Sequence, residues 1–119
     1  MATKRDVSNL TIDSRVEGLQ PHFEFRKLEE VSEFLLENPF LLGLLPEALT
    51  HIAQFFPSPK LSLEIFTNPE TVNDQHLTIF ITSTYSPPET LEKLNSLEDS
   101  WWLGASEQAQ NKLAINVEF

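Results

Sequence analysis

No cysteine occurs in the 119 residues, which excludes disulfides, thiolate metal sites, cysteine nucleophiles and iron–sulfur clusters together. Glycine is nearly as scarce. Three scattered residues, Gly18, Gly43 and Gly104, cannot build a glycine-rich phosphate loop, and no G-x-S-x-G elbow occurs. No apolar run approaches the roughly 18 residues of a membrane span. The start, Met1 to Arg15, lacks the apolar stretch of a secretory signal. These absences set the expectation of a cytoplasmic protein with no membrane partner and no cofactor.

Basic residues are missing from one part of the chain only. From Met1 to Lys27, five basic residues (Lys4, Arg5, Arg15, Arg26, Lys27) face four acidic ones, a net charge of +1. From Leu28 to Phe119, Lys60, Lys93 and Lys112 stand against fourteen Asp and Glu, a net charge of −11. Lys and Arg hold a phosphate backbone, so such a body repels nucleic acid and anionic lipid and favours a basic partner; solubility alone explains it equally well.

What is present is enough for one core. Apolar residues make up 40% of the chain, with nine Phe and two Trp, and the length suits one domain. Residues 1–25, with scattered charge and no sustained apolar period, read as a mobile or irregular N-terminal arm, and residues 26–119 as a single α+β domain. Leu28, Val31 and Leu35 share a helical face, and Asn38-Pro39 should stop that helix. Phe40 to Leu45 reads as a buried turn, followed by a helix starting at Pro46 with the stripe Ala48, Leu49, Ile52, Phe56. The period then falls to two. Leu61, Leu63, Ile65 and Leu77, Ile79, Ile81 predict two half-buried strands in an antiparallel hairpin, with Asn68, Pro69, Asn73 and Asp74 in the turn. Ser86, Pro87 and Glu89 mark a capping box opening a helix with Leu91, Leu94, Leu97 and Trp101 inward and Gly104 at its close. Leu113, Ile115, Val117 and Phe119 predict a final strand. The expected fold is N-terminal helices followed by a β-β-α-β unit, a three-stranded, mainly antiparallel sheet packed on a helix.

His22, His51 and His76 lie too far apart in sequence for a zinc pair, and His51, off the Leu49 and Ile52 stripe, is expected in solvent. The carboxylates lie opposite the apolar stripes, so no metal site or catalytic group is assigned. A small Glu/Asp-dependent hydrolase or metal-dependent enzyme stays as the alternative class, calling for a buried carboxylate cluster lining a pocket. Three groups are candidate partner contacts. Glu29, Glu33 and Glu37 form an i, i+4, i+8 row with no cation to relieve it, suited to a basic surface. Trp101 and Trp102 cannot both point squarely inward on a regular helix, so Trp102 is either covered by Ala105 to Lys112 or an interface anchor. Phe66 and Phe80 share the hairpin face away from Leu63 and Ile79, as a sticky patch or beneath the N-terminal helices.

The segments LSLEIFTNPE, LTIFITSTYSPPETLEKLNSLEDSWWL and KLAINVEF, over about Pro46 to Phe119, resemble a family of short, functionally uncharacterised bacterial proteins common in cyanobacteria. The chain departs from that pattern at Asn68, where Asp is expected, and at Asn95 to Leu97, where Asp and Phe are expected. The resemblance carries no established activity. Family members encoded beside small helical proteins of the HEPN type imply an antitoxin-like or accessory binding role. The resulting expectation is an acidic protein-binding module for a basic partner, with self-association through the C-terminal strand.

Overall fold

The computed structural model describes residues 14–70 and 74–119. Residues 1–13 of the expected arm, and Asn73 of the expected turn, lie outside them. The described chain runs α1 (Ser14–Glu17), β1 (Phe23–Phe25), α2 (Leu28–Glu37), α3 (Phe40–Phe55), β2 (Lys60–Thr67), β3 (Gln75–Thr82), α4 (Pro87–Leu97), a π-helical turn (Glu98–Trp102), α5 (Leu103–Ala105) and β4 (Leu113–Glu118). The class is α+β, as expected.

The sheet differs in strand number and in direction. Four strands lie in the order β1-β2-β3-β4, with β1 parallel to β2, β2 antiparallel to β3 and β3 parallel to β4. Only the central hairpin is antiparallel, so the expected three-stranded, mainly antiparallel sheet is corrected to a four-stranded mixed one. The missed strand is Phe-Glu-Phe, too short to show a period. Phe23 and Phe25 sit beside Leu61 and Leu63. With Val16 and Leu19, Phe23 is buried in the core, so residues 14–25 belong to the folded body and not to an irregular arm.

The alternation in β2 and β3 decides which face is covered. Odd-numbered Leu61, Leu63, Ile65, Leu77, Ile79 and Ile81 are all buried in one cluster with Val31, Leu35, Leu45, Ile52 and Leu97. α2, α3 and α4 therefore lie over the same face. Their two crossovers, β1 to β2 and β3 to β4, advance in the same direction across the sheet from strands of opposite sense. Two such crossovers on one face must have opposite hands, a departure from the usual right-handed rule.

Three local expectations also change. α3 is continuous from Phe40 to Phe55 with Pro46 inside it, because the buried stripe Leu41, Leu44, Leu45, Ala48 and Ile52 runs unbroken past the proline. Five buried side chains at about 1.5–3 kcal/mol each for the larger ones outweigh the roughly 3 kcal/mol that an interior proline costs. The break before α3 is where it was expected: the Asn38 N–H donates to Phe34 O, and its Nδ2 donates to the same oxygen at 2.9 Å. On α4 the inward position is taken by Thr90 and not by Leu91, which is 53% exposed. Thr90 is fully buried because its hydroxyl meets Ser83 Oγ at 2.6 Å, satisfying both groups. Ser86 caps this helix through Glu89 N–H at 3.3 Å, as its sequence predicts. Gly104 does not close it. The left-handed residues before β4 are Gln110 and Asn111.

Phe23→Ala should lower the unfolding free energy by about 3 kcal/mol or more in urea denaturation, as for a large core aromatic. A loss below about 0.5 kcal/mol would mean that β1 is not part of the cooperative core.

Candidate functional site

Even-numbered side chains of the sheet point away from the helices, and this second face is curved. A twisted sheet is saddle-shaped, concave along one diagonal on each face. Two long-range contacts mark that diagonal here. Phe66 stands opposite His76, and Phe80 stands opposite Ser62, yet the Phe66 and Phe80 rings approach to 5.9 Å edge-on. Thr78, between His76 and Phe80 on this face, is only 3% exposed although no described helix covers it. Phe66 itself is 41% exposed and stacks on His76 at 5.7 Å.

The second contact follows the same direction and spans the sheet. Arg26 closes β1 by donating its N–H to Leu63 O at 2.9 Å, and Lys27, in the left-handed region at φ 63°, then turns the chain into α2. The Arg26 side chain is thereby left on the open face. Its guanidinium donates to Glu64 Oε1 of β2 at 3.1 Å, lies 4.9 Å over the Phe80 ring of β3, and is hydrogen-bonded to both carboxylate oxygens of Glu118 on β4. One side chain thus ties all four strands. The hydrogen bond to Glu118 pushes the Arg26 pKa up; desolvation opposes this, and the hydrogen bond to Glu64 adds to the rise. A raised base contributes stability below its unfolded-state pKa and loses it only as pH rises through the folded value. For arginine that window lies above working pH, so the cation persists.

Beyond Arg26, the face opens into a shallow concavity of about 480 Å³ lined by Phe66, Asn68, Asp74, His76, Thr78 and Asn116. Asn68 holds its rim, donating from Nδ2 to Asp74 Oδ2 at 3.1 Å and from its N–H to Asp74 O at 2.9 Å.

The predicted partner residues fall into two regions. Glu29, Glu33 and Glu37 are exposed along α2, and Glu33 and Glu37 line a small groove with Glu30, Phe34, Ile65 and Gln75. Ile65 and Gln75 are the chain neighbours of Phe66 and His76. The acidic row and the aromatic patch therefore adjoin around the hairpin end, and the alternative that the N-terminal helices bury the patch is excluded by their lying on the other face.

Trp101 and Trp102 lie elsewhere, against the helical layer. The turn from Glu98 to Trp102 is π-helical, with Leu103 N–H donating to Glu98 O. Its wider i→i+5 repeat places the inward direction between the two indoles, and both are half-buried against the core. Neither indole is wholly core or wholly exposed. Their rings meet at 5.6 Å, and Trp101 stacks on His51 at 4.8 Å with planes 9° apart. His51 is thus a packing partner and not the solvent-exposed residue its spacing implied.

Sequence reasoning missed Arg26, Glu64, Asp74, His76 and Glu118 as members of the open face. The shared parity of Glu64, Phe66, His76 and Phe80 was a usable signal; Glu118 needed the parallel β3–β4 register. No described helix is long and apolar enough to cross a membrane, and no group of three His, Asp or Glu among the described residues is placed to hold a metal ion. The fold and site define a two-layer α+β protein with helices on one sheet face and an aromatic, acid-rimmed second face. No protein family, curated protein or solved structure matches the chain.

Arg26→Met should cost about 1–2 kcal/mol in denaturant unfolding, since the two pairs are partly exposed and the cation–π contact adds to them. Arg26→Lys should recover less than half of that, because an ammonium cannot span two carboxylates as a planar fork does.

Proposed function

We propose that this chain is a protein-binding module that takes a basic partner around the hairpin end, from the α2 row onto the open sheet face. The observation that carries this reading is the Phe66–His76–Phe80 patch, covered by no described helix, beside an acidic groove with no ion pair among the described residues, in a body of net charge −11 from Leu28 onward. An aromatic anchor flanked by carboxylates suits an arginine- or lysine-rich segment, whose cations pair with the rim and stack on the rings. Glu30, Glu33 and Glu37 are exposed and available, and Asp74 is exposed with one carboxylate oxygen held by Asn68. An inhibitor or accessory subunit of the antitoxin-like kind is the form that the family resemblance favours.

Trp101 and Trp102 contribute to a partner surface only through their exposed edges, since their half-burial already commits part of each ring to the fold. The enzyme alternative calls for buried carboxylates lining a cavity; the exposure of the pocket-lining carboxylates is why binding is preferred.

Titration with a deca-arginine peptide tests the surface. Charge reversal at Glu29, Glu33 and Glu37 should weaken binding about tenfold or more at low salt, with a smaller loss at 0.5 M salt. Phe66→Ala should weaken it severalfold with an unchanged melting temperature. Affinity indifferent to all four substitutions, in variants that remain folded, would overturn this reading.

A further inference from the structure

The sheet has two edges, and they are not equivalent. β1 presents three residues and follows Pro21 closely, both common ways of blunting an edge. β4 presents six, with no proline.

Its backbone orientation follows from two bonds: Leu77 N–H donates to Lys112 O and Ser83 N–H donates to Glu118 O, each at 2.8 Å. Bonding residues alternate in a parallel ladder, so Lys112, Ala114, Asn116 and Glu118 face β3. The amides and carbonyls of Leu113, Ile115 and Val117 then point outward. Val117 N–H is capped by Asn116 Oδ1 at 2.8 Å, while Ile115 has no bonding partner among the described residues.

We infer that β4 joins a second copy of this chain, antiparallel about Ile115, making one eight-stranded sheet. The argument is self-complementarity. In that register Ile115 faces its own counterpart, Leu113 faces Val117 of the second copy, and Lys112 faces Glu118 of the second copy, twice by symmetry. Centring the pair on Leu113 or Val117 instead leaves Lys112 and Glu118 without opposite charges. The outward-pointing amides are those of the residues that would bond across the axis, and swinging the Asn116 side chain aside frees the third. This edge borders the concavity through Ile115 and Asn116, but its outward amides belong neither to the α2 acidic row nor to the Phe66–Phe80 patch, so the inference does not rest on the basic-partner reading.

The test uses the full chain. Sedimentation equilibrium should show the mass rising from 13.6 kDa toward twice that value with concentration. Because the chain lacks cysteine, Ile115→Cys should give a covalent dimer on mild oxidation, while Phe66→Cys on the open face should not. Lys112→Glu sets a carboxylate opposite each of the two Glu118 side chains and should raise the dimer dissociation constant about tenfold, with the monomer still folded. A mass that stays monomeric into the millimolar range would overturn the inference. So would a dimer that Phe66→Cys traps and Ile115→Cys does not, or one indifferent to Lys112→Glu. Deca-arginine binding is read separately, so failure of either proposal leaves the other standing.

Discussion

Leu61, Leu63, Ile65, Leu77, Ile79 and Ile81 all leave the central hairpin on one side, and the molecule is arranged around that fact. Their burial requires an apolar cover along the whole hairpin, which α2, α3 and α4 supply from the same side. A sheet covered once leaves its other face to solvent, and the even-numbered residues must live with that. Ser62 and Thr78, at 2% and 3% exposure, would not be expected to hide on a bare face. Large neighbours share that face with them: the Phe66 and Phe80 rings meet at 5.9 Å, and Arg26 spans the strands.

Arg26 links packing to any function on this face. Its guanidinium lies over the Phe80 ring, and its pairs with Glu64 and Glu118 neutralise two carboxylates of the open face. What remains acidic is the periphery: Glu24 on β1, Asp74 at the hairpin end and the α2 row beyond it. The carboxylates of Glu64 and Glu118 are engaged and the α2 row is exposed, which is why the proposed basic partner is placed at the hairpin end and not at the middle of the sheet. The same geometry explains why one short strand matters. Without β1 there is no Arg26 at the sheet edge, and β2 would present its own long, apolar strand as an open edge.

Much of this was legible in the sequence because local and global signals agree in the central hairpin and at the start of α4. The parity of Phe66 and Phe80, the break at Asn38-Pro39 and the Ser86 cap each follow from short-range chemistry, and each has its observed form. What was not legible shares a cause. β1, the continuous α3 through Pro46, the inward Thr90 and the half-burial of Trp101 and Trp102 are tertiary decisions that override a local rule. Phe23-Glu24-Phe25 is too short to carry a period and becomes a strand only because Leu61 and Leu63 offer it a partner. Thr90 displaces Leu91 from the inward face because Ser83 supplies a hydrogen bond there. The π turn inserts one residue in the helix repeat, which no count at 100° per residue anticipates.

The open edge at β4 fits the same logic. Proteins blunt exposed strands when pairing would be harmful, and this chain blunts β1 by length and a nearby proline but leaves the Ile115 backbone without a partner among the described residues. One outward amide, that of Val117, is capped, and its cap is a side chain able to rotate away. An edge guarded by a removable group differs from one guarded by a proline or a bulge: it keeps its backbone bonds available. Charge sharpens the choice, since a body at −11 repels its own copies at most approaches. The proposed antiparallel register about Ile115 would bring Lys112, one of only three cations after Lys27, opposite a Glu118 that Arg26 already pairs, so the orientation that aligns the backbone would also lessen the repulsion.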